Sequence, residues 1–197
     1  MQPENTKFIE KRQVITRAAL ECFSRYGFDS TSIKMIAQEA GAKSSAIIYY
    51  YFKDKDDLLF ACMEDVQTPK VLEIPEDTPA EEWFVRMMAE YLDLLATPEF
   101  KKLILCAYSL IGRRPEFLEE INNRFREPHR LRFYQFLDVQ IRKGVLAPLH
   151  YWSTYQEAFY PLSMRVLVSG DWADWNHQPH YMEQLHIRAK RFIKAYS

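Results

Sequence analysis

The chain has 197 residues, 48% of them hydrophobic and 27% charged, with a formal net charge of −1. That length and apolar content support a substantial buried core, yet no stretch is long and apolar enough to span a bilayer. Three widely spaced cysteines (Cys22, Cys62, Cys106) sit in apolar helical patterns and read as reduced core thiols, which excludes a disulfide framework. Lys7, Glu10, Lys11 and Arg12 break any apolar run that a signal peptide would need, so a cytoplasmic location is expected. The near-neutral total hides an uneven distribution. Residues 7–55 carry nine basic against five acidic side chains, an excess of four, which leaves about five net negative charges on the remainder. A basic head of this kind suits local phosphate binding.

Residues 1–6 read as a loose polar arm. Phe8, Ile15, Ala18, Ala19, Cys22, Phe23 and Tyr26 then form the apolar stripe of a first helix ending near Gly27. Thr31 precedes the next helix and is its expected N-cap. Ile33, Ile36, Ala37 and Ala40 repeat at helical spacing, and Gly41 follows where such a helix stops. Ser44 or Ser45 can cap a second short helix whose Ile47 or Ile48 packs back on the first. Two short helices around a glycine turn predict a helix-turn-helix, whose second helix is shaped for the DNA major groove.

A fourth helix is expected from Asp54 through Leu58, Leu59, Cys62 and Val66 to about Thr68, with acidic residues in its first turn. Residues 69–79 hold three prolines and read as a linker, and Thr78 to Glu81 reads as a capping box with proline at the first helical position. Trp83 to Leu95 then form a broadly apolar helix, and another runs from Pro98 to near Gly112. A longer one starts at Pro115, is expected to bend at Pro128 and stops at Gly144. Residues 151–169 are rich in aromatic and aliphatic side chains, and a last helix begins at Pro179 after the loop DWADWNHQ. No strand-like alternation occurs, so the expected fold is all-α with about nine helices.

The run Ile36-Ala37, Ala40-Gly41, then Tyr49-Tyr50-Tyr51-Phe52-Lys53-Asp54-Lys55-Asp56-Asp57-Leu58 resembles the TetR family of bacterial regulators, as do Arg17-Ala18-Ala19-Leu20, Phe23 and Gly27-Phe28 upstream. The resemblance covers roughly residues 12–60. It implies a DNA-binding domain over 1–53 and an effector-binding and dimerisation domain over 54–197. It also implies a homodimer on a palindromic operator in double-stranded DNA, repression as the default, and pairing of subunits through helices near 152–169 and 179–196. Relative to the family, the chain carries one extra residue between Gly41 and Tyr49. Either the turn is longer or the recognition helix starts earlier and is rotated. The longer turn is favoured, because Tyr49 to Leu58 keeps family spacing.

Candidate DNA contacts follow from residue chemistry and from the resemblance together. Thr31, as a cap, would free neighbouring N–H groups for a phosphate, and Lys55 at the start of the fourth helix would hold another. Lys43 suits guanine O6 and N7, whereas Ser44 and Ser45 are nearly indifferent readers. Three successive helical tyrosines cannot all face one core, so at least one of Tyr49, Tyr50 and Tyr51 must be exposed to meet a thymine methyl or a phosphate. The resemblance places Tyr49 in the groove and Tyr51 on the backbone, with Tyr50 either exposed or laid against the first helix.

The family pattern also implies a small-molecule effector, here expected to be hydrophobic or aromatic. Met87, Tyr91, Tyr108 and Tyr134 are the candidate lining residues, the phenols because a buried hydroxyl needs a partner that a ligand can supply. No GxSxG, HExxH, P-loop or GxGxxG motif occurs, so neither an enzyme nor a cofactor is expected. His177-x-x-His180 near Asp171 and Asp174 lacks the i, i+4 spacing of a helical metal site, and no metal is expected there. The rival reading is a helical ligand-binding or scaffold protein that keeps the fold without specific operator binding.

Overall fold

Helices make up every regular element among the described residues, 3–66, 73–169 and 178–197 of this computed structural model. In chain order they are α1 (Pro3–Tyr26), α2 (Ile33–Glu39), α3 (Ala46–Tyr51), α4 (Lys55–Ala61), α5 (Ala80–Ala96) and α6 (Pro98–Leu110). There follow α7 (Pro115–Ile121), α8 (Glu127–Arg142), α9 (Tyr151–Met164) and α10 (Pro179–Tyr196). A π-helical turn, Asn122–Arg126, joins α7 to α8 without a break, and a second, Arg165–Ser169, extends α9. With these runs counted as continuous, the all-α architecture of about nine helices is the one expected.

Several boundaries differ from expectation for identifiable reasons. The N-terminal arm is helical from Pro3, a residue whose fixed φ suits a first turn. α4 ends at Ala61 rather than near Thr68, and residues 67–72, with much of the proline-rich stretch, lie outside the described residues. Thr78 does not cap α5: the N-cap is Pro79, with no side-chain cap bond. Where a bend is expected at Pro128, the backbone carries a π-helical turn just before it. A proline in the first turn of α8 has no N–H to continue the α-helical ladder, and the backbone meets this by widening to i→i+5 bonding.

The chain divides into two units, and the division does not follow chain order. One comprises residues 1–67 with Glu99–Ile121, and the other Thr68–Pro98 with Asn122–Ser197. In the first, α1 packs on α2 and α4. Ile15, Ala19, Phe23, Ile36, Ile48, Leu58 and Leu59 are almost wholly excluded from solvent, each contributing about 1.5–3 kcal/mol where the side chain is large. Phe60 of α4 meets Phe117 of α7 edge to face, with ring centroids 5.4 Å apart. In the second unit Phe84 of α5 is a hub. Its ring lies 5.7 Å from both Phe133 and Phe136 of α8, 6.0 Å from Phe159 of α9 and 4.5 Å from Phe192 of α10. Aromatic pairs add roughly 0.5–1.5 kcal/mol each beyond area burial, so one side chain ties four helices together.

Gly41 ends α2 at φ +64°. Its N–H bonds the carbonyl of Gln38 at 3.0 Å, and that of Ala42 bonds Ala37 at 2.8 Å, the paired pattern of a Schellman cap. A Cβ here would meet no neighbour within 4 Å, so the demand for glycine comes from the backbone angle alone. Gly41→Ala is therefore expected to lose about 1–2 kcal/mol of stability, and Gly41→Asn less, read as urea midpoints at constant m-value.

Candidate nucleic-acid interface and ligand cavity

The stretch from Gly41 to Ala46 is a turn followed by irregular chain, and α3 starts only at Ala46. The extra residue thus goes into the turn, and Ile48, counted back from the aromatic run, is the core residue, 1% exposed. Ser44 Oγ accepts the Ala46 N–H at 3.2 Å, while Ser45 makes no side-chain cap bond. Lys43 and Ser44 are exposed and Ser45 is half-buried. Successive residues of α3 point about 100° apart. With Ile48 and Phe52 inward, Tyr49 and Tyr50 face out, 60% and 71% exposed. Tyr51 is half-buried: its ring rests on Phe8 of α1 at 4.7 Å and meets Tyr50 edge-on at 5.0 Å. Tyr50 also touches the edge of Phe8 at 6.1 Å while staying exposed.

Two of the expected phosphate ligands are turned inward. Thr31 is 1% exposed, and its hydroxyl faces the carbonyls of Gly27 at 2.7 Å and Cys22 at 3.1 Å. The cap of α2 is instead Ser32, whose Oγ accepts from Met35 N–H at 3.2 Å. Lys55 Nζ donates to the carbonyls of Phe28 at 2.8 Å, Thr31 at 3.0 Å and Asp29 at 3.4 Å, and sits 4.4 Å from the centroid of the Phe28 ring. Three carbonyls face the three ammonium protons, and burial lowers the ammonium's pKa from its ordinary value. The side chain therefore staples the α1–α2 loop to α4. Lys53, two residues earlier, is exposed, and its backbone N–H bonds Asp57 Oδ2 at 2.9 Å. Asp54 Oδ1 in turn caps Asp57 N–H at 2.8 Å, fixing the entry to α4. Of the Lys53-x-Lys55 pair, it is Lys55, the expected phosphate ligand, whose ammonium has loop carbonyls within reach.

Within the second unit a cavity of about 210 Å³ opens among α5, the first π-helical turn, α8 and α9. Tyr91, Tyr155 and Phe159 form its aromatic wall, and Trp152 and Tyr160 stand exposed at its rim. Its polar side is supplied by Asn122, Asn123, Arg126, Glu127 and Arg130, with Gln156 opposite. Arg126 Nη1 donates to Asn122 Oδ1 at 3.2 Å across one turn. Arg130 is ion-paired to Glu127 and lies 5.3 Å from the centroid of the Trp152 ring. Behind the wall, His129 is buried between Tyr91 and Phe159, with ring centroids at 4.8 and 4.5 Å. Its Nε2 faces the Met87 carbonyl at 3.3 Å, which fixes the N–H there and leaves Nδ1 to accept from Tyr155 Oη at 3.4 Å. Burial pushes this imidazole down to about 4, so it is neutral at pH 7.

Residues 15–62 match the model of the bacterial regulatory proteins of the tetR family. The HTH-type transcriptional regulator HbdR of Aromatoleum sp. (strain CIB) is 44% identical over 66 residues, 34% of this chain and 28% of HbdR, so the match spans little more than a quarter of that relative. The uncharacterized HTH-type transcriptional regulator TtgW of Pseudomonas putida is 31% identical over 93 residues, 47% of this chain and 69% of TtgW. The chain belongs to the TetR family. At the level of fold, the crystal structure of a TetR transcriptional regulator from Agrobacterium tumefaciens superposes with a TM-score of 0.73 at 18% identity, over 95% of this chain and 94% of that one.

Set in this TetR-family chain, the expected lining residues divide. Tyr91 is on the cavity wall, where its hydroxyl pairs with Ser163 Oγ at 2.6 Å. Met87 is buried and offers the cavity nothing but a carbonyl bonded to His129 behind the wall. Tyr134 meets Tyr151 at a tilt, with ring centroids 5.3 Å apart, and Tyr108 belongs to the other unit. Arg126 and Arg130, i and i+4 on the run entering α8, line the cavity as well, beside Trp152 and Tyr155, an approach that no local sequence pattern signals. No group of three or more metal-binding side chains occurs among the described residues, and His177, Asp171 and Asp174 lie outside them.

Two stability predictions follow from these geometries. Lys55→Met leaves three loop carbonyls without their donor and is expected to cost about 1.5–3 kcal/mol in urea unfolding. His129 has a folded-state pKa below its unfolded value of 6.5, so as pH falls the unfolded chain takes the proton first. Its contribution is complete above about pH 6.5 and is lost progressively towards about pH 4, by roughly 3 kcal/mol in all. His129→Gln should flatten that acid limb relative to the parent chain, whatever its effect at pH 7.

Proposed function

We propose that this chain is a homodimeric, cytoplasmic transcriptional repressor that binds a palindromic operator and is released by a small molecule held in the cavity of its second unit. The observation that carries the DNA-reading part is the outward-facing pair Tyr49–Tyr50 on a helix whose Ile48 and Phe52 are buried. Both rings stay largely in water on a six-residue helix, although Tyr50 also touches Phe8 and Tyr51. They are suited to lie against thymine methyl groups and sugar edges in a major groove. Lys43 and Ser44, exposed in the turn just before α3, stand at its N-terminal end, where base edges are met. Tyr51 braces α3 against α1 through Phe8 and acts by orienting its neighbours. Lys53 takes the phosphate contact that Lys55 cannot make, since its head is exposed and its backbone is fixed by Asp57.

Dimerisation is supported by apolar side chains left exposed on the last two long helices. Trp152, Tyr160 and Met164 on α9 and Met182 on α10 are all more than a third exposed. A two-fold pair of reading heads matches half-sites about one helical turn, roughly 34 Å, apart. The effector part rests on the cavity beside Tyr91 and Tyr155. For release to occur, the ligand must bind the DNA-free arrangement more tightly than the DNA-bound one.

The test is retention of the DNA upstream of the chain's own coding sequence, followed across a salt series. Binding should weaken linearly on a log–log plot, and no retention at low salt would exclude the regulator reading in favour of a scaffold. Tyr49→Ala should lower specific affinity by at least about tenfold with little change in the urea midpoint. Lys53→Ala should reduce the salt slope by about 0.9 per half-site, whereas Lys55→Met should leave the slope unchanged.

A further inference from the structure

We propose that α10 carries the two-fold axis of the homodimer: it crosses its own copy antiparallel at Ile187, so that Glu183 of each chain meets the partner's Arg191. This inference deepens the dimer reading above and rests on it.

The helix sets the face. Leu185, Ala189 and Phe192 form the buried stripe by which α10 packs on α5. Ile187 sits two residues from both Leu185 and Ala189, about 200° round the helix from each, so it points away from that stripe. Glu183 and Arg191, one turn to either side, share its direction, and Gln184, Lys190 and Lys194 flank it. Ile187 also borders an open groove of about 250 Å³, with Leu162 of α9 across from it. An isoleucine ringed by charged and amide side chains has the make-up of an interface centre inside a polar rim.

Charge then selects what covers it. Several of the basic groups nearby are engaged within the chain. Lys190 lies 3.8 Å from Glu81 of α5, and Arg188 Nη2 donates to the carbonyls of Glu157 and Ala158, each at 3.1 Å. Arg165, on the far side of the groove, likewise interacts within its own chain. Glu183 and Arg191 are exposed and form no hydrogen bond or ion pair among the described residues. They are opposite in charge and lie about 6 Å along the helix to either side of Ile187. A face of this pattern is complementary to itself once reversed.

The register follows by elimination. A two-fold axis through Ile187, perpendicular to α10, sets each residue before it against the equally distant residue after it in the partner. Ile187 then meets its own copy, and two Glu183–Arg191 pairs flank it at a spacing that either common class of helix crossing allows. Moving the axis one turn to Arg191 brings two guanidinium groups together, and moving it one turn to Glu183 brings two carboxylates together. A parallel pair would set Arg191 on Arg191 and Lys194 on Lys194. A second copy crossing at Ile187 satisfies the apolar residue and both free charges at once.

The test measures the dimer dissociation constant of the full chain by sedimentation equilibrium. Glu183→Arg and Arg191→Glu should each weaken the dimer by about tenfold or more, because symmetry makes every lost pair count twice. The two changes move net charge in opposite directions, so a general charge effect cannot weaken both. Combining them in one chain reverses both pairs and should bring affinity back to within about threefold of the parent. Mixing the two single variants should likewise yield a heterodimer, which shows that each is folded. A single reversal that leaves affinity unchanged overturns this register and leaves the homodimer standing. Failure of both the double variant and the mixture to restore affinity does the same. A parent chain that stays monomeric to about 100 µM overturns the register and the homodimer together.

Discussion

One ammonium group fixes the geometry on which the helix-turn-helix depends. Lys55 Nζ reaches the carbonyls of Phe28, Asp29 and Thr31, residues 24 to 27 positions earlier in the chain, and so joins the first turn of α4 to the loop between α1 and α2. Without that donor the loop carbonyls would have to turn to water, and the start of α2 would turn with them. Thr31 reinforces the same loop from inside through its hydroxyl on Gly27 and Cys22. The Schellman cap at Gly41 then sets the path from α2 into the turn, and Ile48 anchors α3 to the core. Tyr49 and Tyr50 are presented at the end of this sequence of constraints. Their exposure is a result of where Ile48 and Phe52 must go, not of any preference of tyrosine for solvent.

This ordering explains which parts of the head were legible in the sequence. Gly41 could be read directly, because the angle it adopts is closed to other residues without strain. For α3 the sequence left Ile47 and Ile48 both open as the core residue, and Ile48 is the one the fold buries. Thr31 and Lys55 could not be assigned by the same means. A threonine before a helix and a lysine at a helix start each have a standard local partner, and in both cases a non-local carbonyl wins instead. The competition is settled by burial: once the loop closes over Phe28, an unpaired carbonyl there costs more than an exposed ammonium gains from solvent.

The second unit shows the opposite balance. Its aromatic stripes on α5, α8 and α9 correctly predicted helices, and the hub around Phe84 consumes most of those rings as core. What was illegible is the gap. The cavity exists where the α7–α8 run widens into a π-helical turn, so that Asn122 and Arg126 line one side of an opening whose other wall comes from α9 and α5. No periodicity signals a widened turn. Its one sequence mark is Pro128, which reads as a bend and is answered here by a change of hydrogen-bonding pattern just upstream. Of the phenols chosen for a pocket, Tyr91 lies on the wall because its hydroxyl reaches Ser163, whereas Tyr134 satisfies its ring on Tyr151.

The same π-helical turn stands at a particular place in the chain. The division between the two units falls between Ile121 and Asn122, inside one continuous helical run. On one side of that point α7 contributes Phe117 to a ring contact with Phe60 of α4, the helix that begins at Lys55. On the other side the next five residues bond in the i→i+5 pattern and supply three of the polar groups on the cavity wall. A π-helical turn holds about one residue more than an α-helical one. That widening lets Asn122, Asn123 and Arg126 share one side of the cavity while the run continues into α8, so the polar wall is a property of the backbone pattern as much as of the side chains.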